Sequence, residues 1–359
     1  MELSNTQKAN STNCRFLCML FLLVSLNVIP GIADAVDDEP VESILFGSCI
    51  RQDKPMPIFK SINQIRSDLF IFLGDNIYAD TDDMKVMKAK YSLLAADSGF
   101  SKLVETKRIM ATWDDHDYGK NDAGAEYIKK EESQKTFLDF WNEPKNSVRR
   151  KTPGIYDAKS FGPEGKRLQV ILLDTRFFRG PLKMGKRKTG GPYYPTGDKS
   201  VRMLGESQWG WLEEQFRKPA EIRIVASSIQ LIAESDGQET WSNIPHERER
   251  FFDLIRKTKA NGVVVISGDR HWSELSCYSK GMPYTLYDFT SSSLNQPHGR
   301  GTPTINKHRA IETTHHQENF GQIKISWDVK NPKLSLQVRD INGKLKIGHD
   351  VALSELKAN

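Results

Sequence analysis

A chain of 359 residues, 38% of them hydrophobic, can bury one large core or two modest ones. No Pro/Ser/Gly-rich linker or internal repeat divides it, which points to one domain. Its formal charge of +5 is small for the length and mixed in sign along the chain, so it gives no case for nucleic-acid binding.

In chain order, the first signal is Arg15 ahead of the apolar run 16–24, which ends near Pro30-Gly31 and the small-residue site Ala33-Asp34-Ala35. This reads as a secretory signal peptide over residues 1–35, cleaved after Ala35, with a mature domain over residues 36–359. A signal anchor is the rival reading, opposed by the short apolar span and the Pro-Gly break. No later segment is long and apolar enough to anchor the mature chain in a bilayer. Cys14 and Cys18 leave with that peptide, so only Cys49 and Cys277 remain. In an oxidising compartment the default for such a pair is a disulfide.

The strand Ile44-Leu45-Phe46 leads to Ser48-Cys49. Apolar residues at helical spacing over 57–65 then connect it to the run Leu69-Phe70-Ile71-Phe72-Leu73, which predicts a βαβ unit with buried parallel strands. That second strand stops at Gly74-Asp75-Asn76-Ile77-Tyr78. Residues 83–106 read as helical. Ile109 to Thr112 form a strand running through Trp113 into Asp114-Asp115-His116-Asp117, and the polar turn Tyr118-Gly119-Lys120-Asn121-Asp122 precedes a helix over 129–141. A further strand, Leu168 to Leu173, ends at Asp174-Thr175-Arg176. The basic segment 179–202 reads as a surface loop. An amphipathic helix follows over 208–216, then a strand over 222–228 that ends near Gln230, a helix over 247–259, and the strand Val263 to Ser267 that runs into Gly268-Asp269-Arg270-His271. From Tyr284 the pattern is β, with hairpin signals at Asn331-Pro332-Lys333 and Ile341-Asn342-Gly343, and the tail is expected to close the second sheet. His298, Arg300, His308, His315 and His316 fall in an irregular loop and read as structural.

A single Gly-Asp is ordinarily a turn with an Asx hydrogen bond. Three strand ends that each offer Asp with His or Tyr point instead to a site, because open α/β sheets carry their chemistry at the carboxyl ends of strands.

Gly-Asp-x-x-Tyr, Trp-Asp-Asp-His-Asp and Ser-Gly-Asp-x-His, with Phe46-Gly47-Ser48-Cys49, Leu173-Asp174-Thr175-Arg176 and Gln208-Trp209-Gly210-Trp211-Leu212, resemble the signature set of the alkaline phosphatase D family, the PhoD-like phosphatases of the calcineurin-like metallophosphoesterases. The resemblance covers roughly residues 43–296. It implies an α/β fold, an αββα sandwich of two mixed β-sheets flanked by helices, and a metallophosphatase that hydrolyses phosphate esters, with a small-molecule phosphate ester as substrate. A phospholipase D-type phosphodiesterase and a non-catalytic binding protein on the same scaffold are the alternatives. Carried over by position, Cys49, Asp75, Tyr78 and His271 hold one metal; Asp75, Asp115, Asp269 and Gln230 hold the second, with Asp75 bridging. Thiolate and phenolate suit iron as Fe3+, and the oxygen-rich set suits calcium. His116 would stabilise phosphoryl oxygens or protonate the leaving group. Asn121 would sit near the phosphoryl group, and Arg176 would bind phosphate or brace a metal ligand through a pair with Asp174, bracing being preferred.

Overall fold

The computed structural model describes residues 39–298 and 305–358; the predicted signal peptide and Arg300 lie outside the described residues. The chain runs β1 (Ser43–Gly47), α1 (Ile58–Gln64), β2 (Leu69–Leu73), α2 (Met84–Ala96), α3 (Ser98–Thr106), β3 (Arg108–Thr112), the single turn α4 (Asp115–Tyr118) and α5 (Lys130–Phe140). There follow β4 (Asp157–Phe161), β5 (Leu168–Leu172), the short pair β6 (Lys183–Met184) and β7 (Tyr193–Tyr194), α6 (Glu206–Arg217) and β8 (Ile222–Ser227). The last part holds α7 (Pro245–Thr258), β9 (Val263–Ser267), β10 (Ser273–Tyr278), β11 (Leu286–Ser291), β12 (Asn319–Ser326), β13 (Lys333–Asp340) and β14 (Leu345–Ala352).

Two six-stranded mixed sheets result, in the orders β14-β13-β12-β1-β2-β3 and β10-β11-β9-β8-β5-β4. Strands β1, β2 and β3 are parallel neighbours in the first, and β5, β8, β9 and β11 in the second. The buried strands alternate between two cores. Leu69, Ile71 and Leu73 of β2 join Val170, Ile224 and Val265 in a core built from both sheets, whereas Phe70 and Phe72 face the cluster that includes Phe59, Met87, Leu103 and Phe137 of the helices. Both faces of β2 are therefore apolar, as a parallel strand covered on two sides requires, and each large side chain so buried stabilises the fold by roughly 1.5–3 kcal/mol.

The helical stretch expected over 83–106 is two helices, because the Asp97 carboxylate accepts the Phe100 backbone N–H and starts α3 afresh. The tail also departs from expectation. Strands β10 and β11 complete the second sheet, but β12 to β14 return to the first, where β12 pairs antiparallel with β1. Hairpin signals fix neighbours within the hairpin and say nothing about which edge receives it. Gly321 lies opposite Phe46 in that pairing, and a Cβ there would stand 2.1 Å from the Phe46 ring. The basic segment 179–202 carries the β6–β7 pair.

Candidate metal centre

Side chains converge where the carboxyl ends of β1, β2, β3 and β9 meet. The turn after β2 is pressed against the turn after β3: Gly74 has φ +98°, and a Cβ on it would lie 2.5 Å from the Asp114 backbone nitrogen. Asp117 knits the two turns together. Its carboxylate accepts the backbone N–H of Asp75 at 3.1 Å and of Asp114 at 2.7 Å, and the Asn76 side-chain amide at 2.6 Å. Among the described residues eight non-glycine residues have positive φ, and six of them, Cys49, Asp75, Asp80, Asp122, Asp269 and His271, lie in or beside this region. Each such conformation costs about 1–3 kcal/mol and persists only where the surroundings over-determine it, so the backbone strain marks the same place as the side chains.

One side of the cluster is chemically mixed. The Cys49 thiol lies 3.4 Å from Asp75 Oδ2, the Tyr78 hydroxyl donates to the same oxygen at 3.3 Å, and Tyr78 is 3.0 Å from His271 Nε2. Ligand atoms of Cys49, Asp75 and His271 fall within 4.8 Å of one another. Burial pushes the Cys49 thiol up to about 11 and raises the Tyr78 phenol, while burial with the neighbouring His298 and Arg270 charges lowers His271 to about 3. Without a cation these groups are therefore held neutral. Cys49 and Cys277 are both free, so the default disulfide does not form.

The other side is acidic. Oxygens of Asp75, Asp114, Asp115 and Asp269 gather within 4.8 Å, and a ring nitrogen of His116 joins Asp75 and Asp115 at the same spacing. Burial raises Asp75, Asp114 and Asp269, the last two to about 7; Asp115 is held low because Arg176, His116 and the Asp122 N–H outweigh its burial. Asp75 Oδ1, Asp114 Oδ2 and Asp115 Oδ1 are buried with no hydrogen-bond partner. Buried carboxylate oxygens without a hydrogen-bond partner are costly, and the gathered carboxylates of Asp75, Asp114, Asp115 and Asp269 offer the all-oxygen ligands that suit a hard cation. Cys49, Asp75, Tyr78 and His271 fit a softer or oxidised ion.

Arg176 is fully buried beneath this side. Its Nε donates to Asp114 Oδ1 at 2.6 Å and its two terminal nitrogens form a fork on Glu239 at 2.9 Å each. The guanidinium pairs with Asp114 and Glu239, not with Asp174. Asp174 instead receives backbone N–H groups of Arg176, Phe177 and Ile155 and the Trp113 indole. The bonds to Asp114 and Glu239 occupy the Arg176 guanidinium.

Gln230 is placed elsewhere. Its amide donates to Glu274 at 2.7 Å and Thr290 at 2.9 Å inside the second sheet, and Ser228, two residues earlier, is the side chain after β8 that reaches the site, donating to Asp114 Oδ1 at 2.6 Å. Asn121 stands exposed at the rim with its amide on Asp122, whose backbone N–H donates to Asp115 Oδ2 at 2.6 Å. His116 lies over Tyr78 with ring centroids 4.3 Å apart, and its Nδ1 is 2.7 Å from Asp80. Asp75, Asp115 and Asp80 outweigh burial and hold its imidazolium up to about 11.

Four participants escaped the reading of the sequence. Asp114 was visible in the double-Asp turn, but alternation alone does not say that both acids face inward. Glu239 lies in an irregular stretch with no periodicity. Arg270 sits between two expected ligands and invited no separate reading. His298, from the loop expected to be structural, lies with its ring centroid 4.7 Å from that of His271, tilted by 35°.

Two mixed sheets in a helix-flanked sandwich, with acids, His, Tyr and Cys at their joined strand ends, define the calcineurin-like metallophosphoesterase class. The PhoD-like phosphatase family model matches residues 44–336, and the chain belongs to that family; it is a phosphoesterase hydrolase. A solved structure described as the structure of PhoD aligns with a TM-score of 0.68 at 16% identity, covering 89% of this chain and 70% of that one. A second, described as GAP50, the anchor in the inner membrane complex of Plasmodium, aligns with a TM-score of 0.56 at 13% identity, covering 89% of this chain and 90% of that one. Both show the fold. No curated protein matches the chain.

Proposed function

We propose that the protein is a secreted, metal-dependent phosphatase that hydrolyses phosphomonoesters, phosphodiesters or both. The observation that carries this reading is the gathering of the Asp75, Asp114, Asp115 and Asp269 carboxylates, three of which have a buried oxygen without a hydrogen-bond partner, beside the Cys49, Tyr78 and His271 group. Iron would be held by Cys49, Asp75, Tyr78 and His271, and calcium by Asp75, Asp115 and Asp269, with Asp114 taking the place expected of Gln230. When bound, such ions supply Lewis acidity toward phosphoryl oxygens and a water of lowered pKa.

The chain's own residues do the rest. His116, held protonated and oriented through Nδ1 by Asp80, presents a proton and a positive charge beside Asp75 and Asp115, where it stabilises phosphoryl oxygens or protonates the leaving group. Asp117 fixes the spacing of the two acidic turns, and Arg176 with Glu239 holds Asp114 in orientation. GAP50's description as an anchor raises the alternative of a binding protein without turnover; competent ligand atoms at the motif positions weigh against it here.

Secretion rests on the apolar run 16–24 and Ala33-Asp34-Ala35, with the domain over residues 36–359. No helix among the described residues is long and apolar enough to cross a membrane. N-terminal sequencing of exported protein should begin near Val36; an intact Met1 contradicts export by cleavage. The function is tested by metal analysis of purified protein with paired assays on a nitrophenyl phosphate monoester and the bis-ester. Turnover that a chelator abolishes and metal restores is expected, and an inactive protein that holds both metals would select the non-catalytic alternative.

A further inference from the structure

A cavity of about 170 Å³ lies outside the metal centre, between the β6–β7 hairpin, the segment after β8 and the first turn of α7. It is too small for a drug-sized ligand and large enough for a small ion with a few waters. Backbone bonds fix its walls: the Gly190 and Tyr193 N–H groups donate to the Asp236 and Gly237 carbonyls at 3.1 Å each.

Its lining favours an anion. The 14-residue helix α7 opens on Pro245 with no side chain capping its N-terminus, and Glu247, the acid of its first turn, is engaged elsewhere by the Met203 and Leu204 N–H groups and the Trp209 indole. The positive end of the helix dipole is therefore left facing the cavity. Lys188, Arg248 and Lys307 line it together with two carboxylates, Glu234 and Asp236. Both carboxylates are already engaged. Glu234 accepts from Arg248 at 2.5 Å and stands 3.3 Å from Lys307 and from His308, and Asp236 lies 3.1 Å from Lys188. One cation and the helix end remain in excess.

Ser235 points to an occupant independently of the charges. It lines the cavity, is only 8% exposed, and its hydroxyl is buried with no hydrogen-bond partner, a costly state that a bound acceptor relieves. The approach is basic as well. Residues 179–202 hold seven Lys and Arg against one acid, Asp198, and the side-chain nitrogens of the exposed Lys183, Lys186 and Arg187 have no hydrogen-bond or ion-pair partner among the described residues. Such a patch draws anions to this face. Tyr193, also in the lining, donates to Asp122 Oδ2 at 2.5 Å, and the Asp122 N–H donates to Asp115. The cavity is thus linked to the metal centre by a chain of hydrogen bonds and shares no residue with it.

We propose that this cavity is an accessory site for a small tetrahedral oxyanion of the phosphate type. Ser235 and Arg248 donate to the anion, and Lys188 and Lys307 supply charge at the mouth. The site goes beyond the phosphatase reading and does not depend on it.

The test is calorimetric titration of inorganic phosphate into purified wild type, Ser235→Ala and Arg248→Gln, with metal content measured on each sample. Metal-loaded wild type is expected to bind two equivalents, one at the metal centre and one in the cavity. Ser235→Ala should weaken one of them by about tenfold and Arg248→Gln by about ten- to a hundredfold, as loss of a hydrogen bond to a charged group implies. The other equivalent, the metal content and KM for the nitrophenyl monoester should stay as in wild type. Ser235→Ala removes a single hydroxyl, so it reads the site even where loss of the Arg248–Glu234 pair disturbs the fold. A single equivalent in metal-loaded wild type overturns the proposal. So do two equivalents unchanged in Ser235→Ala, which would mean a cavity filled by water, and equal weakening of both. A metal-free, inactive wild type that still binds one equivalent sensitive to Ser235→Ala upholds the accessory site and identifies the phosphatase reading as the failure.

Discussion

The two sides of the candidate centre share Asp75 and differ in how they are held. On the Cys49, Tyr78 and His271 side the groups satisfy one another at 3.0–3.4 Å, so the arrangement is assembled by neutral hydrogen bonds. On the Asp114, Asp115 and Asp269 side the acids crowd together with orphaned oxygens and are restrained from outside, by Arg176, Ser228, Asp122 and Arg270. The first side is a preformed pocket whose donors need only lose protons; the second is repulsive until protons or a cation neutralise it.

The change that breaks the comparison most completely is at the shared residue. Asp75→Asn removes the anionic ligand common to both sets and is expected to lower metal occupancy on both sides and activity by several orders of magnitude, read by metal analysis and kcat. Tyr78→Phe removes one donor from the mixed side only. It should bleach any tyrosinate charge-transfer colour and lower turnover while the second metal stays. Full colour, iron and rate in that variant would make Tyr78 a packing residue.

A third expectation follows from the acids. Burial pushes Asp114 and Asp269 up to about 7 and so favours their protonated forms. Below that pH an entering cation must displace protons; above it the carboxylates are already charged. Calcium affinity of the chelator-stripped protein should therefore rise from about pH 5.5 to about pH 7.5, with proton release largest at the acid end. A flat profile would mean that these two acids are not ligands. The smallest effect concerns Gln230. Gln230→Met should leave metal content unchanged and destabilise the fold by about 1–3 kcal/mol, from the lost bonds to Glu274 and Thr290, measured by denaturant midpoint.

Much of this was legible in the chain. The strand ends could be read because apolar runs stop abruptly at Gly74-Asp75, Asp114-Asp115 and Gly268-Asp269, and that pattern brought Asp75, Tyr78, Asp115, Asp269 and His271 together, while Cys49 came from the family resemblance. Long-range partners could not be read. Nothing local to Glu239 says that it faces Arg176, because the pair is set by how the segment after β8 folds back over the β5 end. Gln230 misled because a slot two residues past a strand was read without the turn that follows; Ser227 accepts the Trp241 indole and donates to the Ile229 carbonyl, and Gln230 is carried into the second sheet. The return of β12 to β1 was likewise beyond the reach of hairpin signals, which describe contacts between neighbours only.

The central claim is that one bridging aspartate joins two chemically different metal sites. Metal analysis of purified wild type and Cys49→Ser, each alkylated and examined unreduced by mass spectrometry, tests it most directly. Iron and calcium together in wild type, a free Cys49 thiol in the metal-stripped protein, and selective loss of iron from Cys49→Ser with calcium retained are the predicted results. A Cys49–Cys277 disulfide, or loss of both metals from Cys49→Ser with the fold intact, would contradict it.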